Sequence, residues 1–95
     1  MQTEVLDNPA HSRFELTVGD NVAFVDYERS GDRTVLTHTE VPEALSGRGI
    51  GSKLVRGTLE ALRAQGRTAV SRCSFVTAYA ERHPEYRDVV TDGEV

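Results

Sequence analysis

Gly47, Gly49 and Gly51 alternate with Arg48 and Ile50 and run directly into Ser52-Lys53-Leu54, a spacing whose chemistry is anion binding. Glycine has no Cβ, so the backbone at positions 47, 49 and 51 can take positive φ and approach a ligand closely, with its amides pointing inward. The first turn of a helix leaves N–H groups without intrahelical partners and carries partial positive charge, which attracts a phosphate. Arg48 and Lys53 bring two full positive charges to the same end. Cations are disfavoured at a helix N-terminus unless a polyanion offsets them. The bland alternative for the same residues is a flexible loop with a solvated basic pair.

Spacing separates the phosphate-binding classes. A Walker A loop needs Gly-x-x-x-x-Gly-Lys followed by Ser or Thr, but the residue that would be its second glycine, counted from Gly47, is Ser52, and the order here is Ser52-Lys53. A dinucleotide fingerprint, Gly-x-Gly-x-x-Gly counted from Gly47 through Gly49, also ends on Ser52, and the second strand lacks a ribose-binding acid at its end. What is left is Gly-x-Gly between a strand and a helix. It resembles the pyrophosphate loop of the GNAT N-acetyltransferase superfamily, Gln/Arg-x-x-Gly-x-Gly/Ala, here Ser46-Gly47-Arg48-Gly49-Ile50-Gly51. Ser46 departs from that pattern, which removes a side chain but no backbone donor.

A wider set carries the resemblance further: His38-Thr39-Glu40-Val41-Pro42, the loop itself through Val55, Cys73-Ser74-Phe75-Val76, Tyr79, and His83-Pro84-Glu85-Tyr86. Together these are similar to the small, single-domain GNAT-like proteins, over residues 14–90. The resemblance implies a minimal GNAT-like α/β (α+β) fold that binds acetyl-CoA or CoA and transfers acetyl to an amine. It further implies that the backbone at Thr39-Glu40-Val41 pairs with the pantetheine arm and that the amides from Gly47 to Ser52 hold the pyrophosphate. Lys53 or Arg48 would meet the remaining phosphate. It sets Cys73 at the acetyl end, and it puts Tyr79 near the place where many GNAT enzymes use a tyrosine to protonate the departing thiolate.

Each catalytic candidate also has a structural reading. A catalytic Cys73 would need thiolate character and a nearby base such as His38 or His83, whereas a lone cysteine after a strand is more often a small buried hydrophobe. Tyr79 on a helix is equally at home in a core. Strand alternation puts His38 and Glu40 on one face with Leu36, and Thr37, Thr39 and Val41 on the other. His38 and Glu40 could remove a proton together or form a surface pair. His83-Pro84-Glu85-Tyr86 reads first as structural, the proline ending a helix and the tyrosine covering the core edge.

Around these residues the chain must build a frame. Phe14, Leu16 and Val18 alternate with polar neighbours as in a half-buried strand. Gly19-Asp20-Asn21 turns the chain into Val22–Tyr27, and Ser30-Gly31-Asp32 turns it into Arg33–Val41, which makes a three-stranded antiparallel meander. Ile50, Leu54, Val55, Thr58, Leu59 and Leu62 then share one helical side, away from Lys53, Arg56, Glu60 and Arg63, and Gly66 stops that helix. Arg67–Arg72 returns as a short strand, parallel to the third by a right-handed crossover and splayed from it around the cofactor. A second short helix carries Phe75, Val76, Tyr79 and Ala80 on its apolar side and cannot pass Pro84. Residues 1–12 and 91–95 read as loose ends.

At 95 residues and 38% hydrophobic content, the sequence suits one small domain, 1–95, with a modest core. Its formal net charge of −4 argues against nucleic-acid or acidic-membrane partners. There is no leader-like N-terminus and no apolar run of transmembrane length, so a cytoplasmic location is the default. A single cysteine makes no internal disulfide, and scattered histidines imply no metal. A monomer is favoured. Because the chain has little sequence for an acceptor pocket, the amine acceptor, which a protein could supply, is not identified. A CoA- or acyl-CoA-binding module without turnover, and a nucleotide-phosphate binder unrelated to CoA, remain as alternatives.

Overall fold

The structure, a computed structural model, describes residues 4–31 and 33–91. Asp32 of the expected Ser30-Gly31-Asp32 turn lies outside the described residues, as do residues 1–3 and 92–95 of the expected loose ends.

Five strands form one sheet in chain order: β1 (Val5–Asn8), β2 (Arg13–Val18), β3 (Asn21–Ser30), β4 (Arg33–Glu40) and β5 (Thr68–Ser71). The first four pair antiparallel, and β4 pairs β5 parallel across a crossover made by α1 (Ile50–Ala64). A second helix, α2 (Ser74–Arg82), follows β5. This is the α/β architecture expected from the sequence, an antiparallel meander continued by a parallel strand, with one strand more at its start.

That extra strand corrects the reading of residues 1–12 as a loose end. Val5 packs so closely on α1 that a Cβ added at Gly57 would lie 2.3 Å from Val5 Cγ2. Asp7 accepts hydrogen bonds from the Tyr27 hydroxyl at 2.7 Å and the Arg29 guanidinium at 3.0 Å. Four residues are too few to declare a strand by alternation, and only their partners on β2, β3 and α1 make one. The other end is likewise tied down as far as Thr91, whose N–H donates to the Ala69 carbonyl at 2.9 Å.

The core follows the apolar periodicity. On α1, Ile50, Leu54, Val55, Thr58, Leu59 and Leu62 are buried, the face anticipated from spacing. Each fully buried aliphatic side chain there contributes roughly 1.5–3 kcal/mol. Gly66, at φ 70°, ends the helix: its N–H donates to the Arg63 carbonyl and that of Arg67 to the Leu62 carbonyl, closing the last turn.

One irregularity shapes the site. Tyr27 pairs Leu36 and Asp26 pairs His38, so Thr37 has no opposite residue on β3. The bulge breaks the two-residue alternation across 36–40. Leu36 is fully buried while His38 and Glu40 are exposed, so the expected shared face of these three does not form. Pairing with β5 ends where Leu36 meets Ser71 and its carbonyl accepts from the Arg72 N–H. Beyond it β4 runs on to Glu40 with no β5 neighbour, opening a gap at this end of the sheet.

Candidate functional site

Because β4 and β5 are parallel and each leads into a helix, both helices begin at the same end of the sheet, beside the gap. The link from β4 to α1 is anchored by buried Leu45 in a short 3₁₀ turn, Glu43–Leu45, and Ser46 Oγ donates back to the Glu43 carbonyl at 2.9 Å. Gly47 and Gly49 then take φ of 79° and 70°, conformations that would strain any residue with a Cβ. Gly49 is the N-cap of α1 and offers no side-chain acceptor, and the first turn contains no acid. The first intrahelical bond runs from the Lys53 N–H to the Gly49 carbonyl at 3.1 Å. The N–H groups of Ile50, Gly51 and Ser52 therefore have no acceptor within the helix.

Gly51 corrects one sequence expectation. It is helical rather than left-handed, and its lack of a side chain serves a close approach: a Cβ there would lie 2.6 Å from Phe75 Cζ. Phe75, expected on the buried stripe of α2, is instead 40% exposed and lies across the start of α1. The first turns of the two helices thus meet. Between them and the link that leaves β4 lies a shallow concavity of 240 Å³, walled by Val41, Leu45, Ser46, the loop glycines, Ile50, Ser52 and Phe75. Arg48 and Lys53 stand exposed outside that wall, and Lys53 lines a separate groove with Arg56 and Glu60.

Cys73 is the residue before α2, and its Sγ lies 3.3 Å from Thr39 Oγ1 across the β4–β5 gap. Burial pushes the thiol up, but the Thr39 hydroxyl, the amides at the start of α2 and the Thr39 amide together outweigh it and hold it below the ordinary value. The family resemblance implied Thr39 as a backbone contact only. The signal for its side chain was present in the shared face of Thr39 and Val41, since one touches the thiol and the other lines the concavity.

The structure does not bring the other candidates to the sulfur. His38 Nε2 lies 2.9 Å from Glu40 Oε1 in a pair more than half exposed. His83 stacks on Tyr79 with ring centroids 4.1 Å apart and lies 3.4 Å from Glu85 Oε2. Tyr79 is buried between His83 and Tyr86, and burial raises its hydroxyl pKa. Tyr86 covers the core edge as read from the sequence, its hydroxyl donating to Glu60 at 2.7 Å. Among the described residues no group of three metal-ligating side chains gathers, and no helix is long and apolar enough to cross a membrane.

Residues 13–89 match the family described as GCN5-related N-acetyl-transferase. The chain belongs to this family. The GCN5-related likeness extends to curated relatives: Protein NATD1 of Xenopus tropicalis is 36% identical over 59 residues, covering 61% of this chain and 54% of that one. The NATD1 of Homo sapiens is 37% identical over 59 residues, covering 61% of this chain and 52% of its own. This chain spans about half the length of the curated relatives it matches. The NMR solution structure of a GCN5-like protein from Staphylococcus aureus superposes with a TM-score of 0.72 at 25% identity, over 97% of this chain and 91% of that one. The GCN5-related fold accounts for the antiparallel strands followed by a parallel pair.

Proposed function

We propose that this chain binds acetyl-CoA in the concavity between the two helix starts and transfers the acetyl group to an amine. One observation carries the reading: two helix N-termini converge beside a stretch of β4 left unpaired by β5, with a thiol at its edge. The groups present fit the cofactor. The amides of Ile50, Gly51 and Ser52 would take the diphosphate, where the helix start favours negative charge. The backbone at Thr39 and Val41 would take the amides of the pantetheine arm, with Cys73 at the acetyl end. Acetyl-CoA, when bound, supplies an activated acyl thioester. The chain contributes orientation along β4 and a lowered thiol, which either accepts the acetyl group before the amine does or lines its seat.

A second reading, a CoA-binding module without turnover, draws support from the same site. Neither imidazole contacts Cys73, and the Tyr79 ring is buried. Calorimetric titration with CoA and acetyl-CoA, with ATP and NADH as controls, tests the first step. Saturable binding of the CoA compounds alone is expected, and its absence in a folded sample would sink the assignment. With binding in hand, acetyl release onto an amine panel separates the two readings. Loss of turnover in Cys73→Ala at unchanged CoA affinity favours the enzyme with a sulfur nucleophile.

A further inference from the structure

Phe75 is, with Leu6, one of two large hydrophobic side chains left exposed among the described residues. It lies in the first turn of α2, 40% exposed, although Val76 and Tyr79 of the same helix are buried. Its ring rests on Gly51, with Cζ and Cε2 at 2.6 and 3.0 Å from where a Cβ would stand, so only glycine at position 51 admits it there. The ring also walls the concavity that the amides of α1 face, with apolar Val41 and Leu45 completing the wall.

Phosphate alone gains nothing from an aromatic ring. A ligand gains when it carries an apolar group next to its phosphates, because both then find partners in one small space. CoA has such a group: a carbon bearing two methyls stands one methylene from its diphosphate. ADP has a diphosphate without it. We propose that Phe75 determines specificity by packing on this branched apolar part of the arm, so that the site selects CoA-type ligands over other diphosphates. The assignment rests on the acetyl-CoA reading above and adds a residue to it. Gly51 serves it indirectly, as the floor on which the ring lies.

Solution NMR of the native chain with CoA tests the contact directly. Intermolecular NOEs are expected between the Phe75 ring protons and the two CoA methyl signals. In parallel, Phe75→Ala should weaken CoA binding about tenfold by calorimetry, with Phe75→Leu in between, while weak ADP binding read from amide shifts changes less than twofold. Native protein that binds CoA without ring-to-methyl NOEs overturns the Phe75 assignment and leaves the cofactor reading intact. An equal loss for CoA and ADP in a folded Phe75→Ala also overturns it, because the ring would then shape the loop and not choose the ligand. Native protein that binds no CoA overturns both. The NOE decides the matter even if the alanine variant does not fold.

Discussion

At Cys73 burial and hydrogen bonding oppose each other, and the hydrogen-bonding side prevails. The Thr39 hydroxyl, 3.3 Å from the sulfur, is the side-chain part of that balance. Thr39→Val keeps the backbone amide and removes the hydroxyl, so the thiol should move up. Alkylation by iodoacetamide should then reach half its maximal rate at higher pH than in the native chain, and the rate at neutral pH should fall severalfold. An unchanged profile would mean that the hydroxyl does not act on the sulfur. Tyr86 gives the opposite kind of titration. Burial first, then the Glu60 carboxylate that accepts its hydrogen bond, push the phenol up to about 12. Between the unfolded value near 10 and about 12 the unfolded chain has lost this proton and the folded chain keeps it, so stability falls as pH rises through that window. The full loss is on the order of 2–3 kcal/mol. Tyr86→Phe should start less stable at pH 8, for want of the bond to Glu60, yet show a shallower decline across the same window in urea titrations.

Elements differ in how far the sequence announces them. The buried face of α1 was legible down to the residue, because fifteen residues of helical period leave little room for another assignment. The crossover and the parallel strand followed from it. β1, the bulge at Thr37 and the outward Phe75 were not legible, since each depends on a contact distant in sequence: Val5 on Gly57, Leu36 opposite Tyr27, Phe75 on Gly51. At the site, the loop glycines could be read from spacing, but the Cys73–Thr39 contact joins residues 34 apart and needed the fold. The Val5 contact can be tested by a mutant cycle. Alanine at a mid-helix glycine gains about 1 kcal/mol from propensity alone. At Gly57 its methyl would meet Val5 Cγ2 at 2.3 Å and Cβ at 2.7 Å, and the second of these cannot swing away without moving β1. Gly57→Ala should therefore be destabilised by about 1–2 kcal/mol by denaturant unfolding. Introduced into Val5→Ala it should cost much less or stabilise. Additive effects would mean that β1 does not lie on α1 as described.

For the molecule as a whole, the candidate site follows from topology. A sheet that changes from antiparallel to parallel at β4–β5 puts two helix starts at one end, and β4 runs on there beyond its last residue paired with β5. Much of the rest is a thin core under one long helix, and a chain of 95 residues has a small stability margin. Such a molecule reports ligand binding strongly through its melting temperature. A ligand that binds only the folded state at 100 times its dissociation constant adds about 2.7 kcal/mol. At roughly 4–8 °C per kcal/mol for a domain of this size, CoA or acetyl-CoA should raise the midpoint by roughly 10–20 °C. Gly49→Ala, which forces a methyl into the left-handed conformation at the α1 N-cap, should lower the unliganded midpoint and also shrink this shift, because the amides it aims are those that would hold the diphosphate. The discriminating quantity is the difference between the two shifts and not either midpoint. A variant that melts earlier but keeps the full CoA-induced shift would place the ligand elsewhere on the molecule.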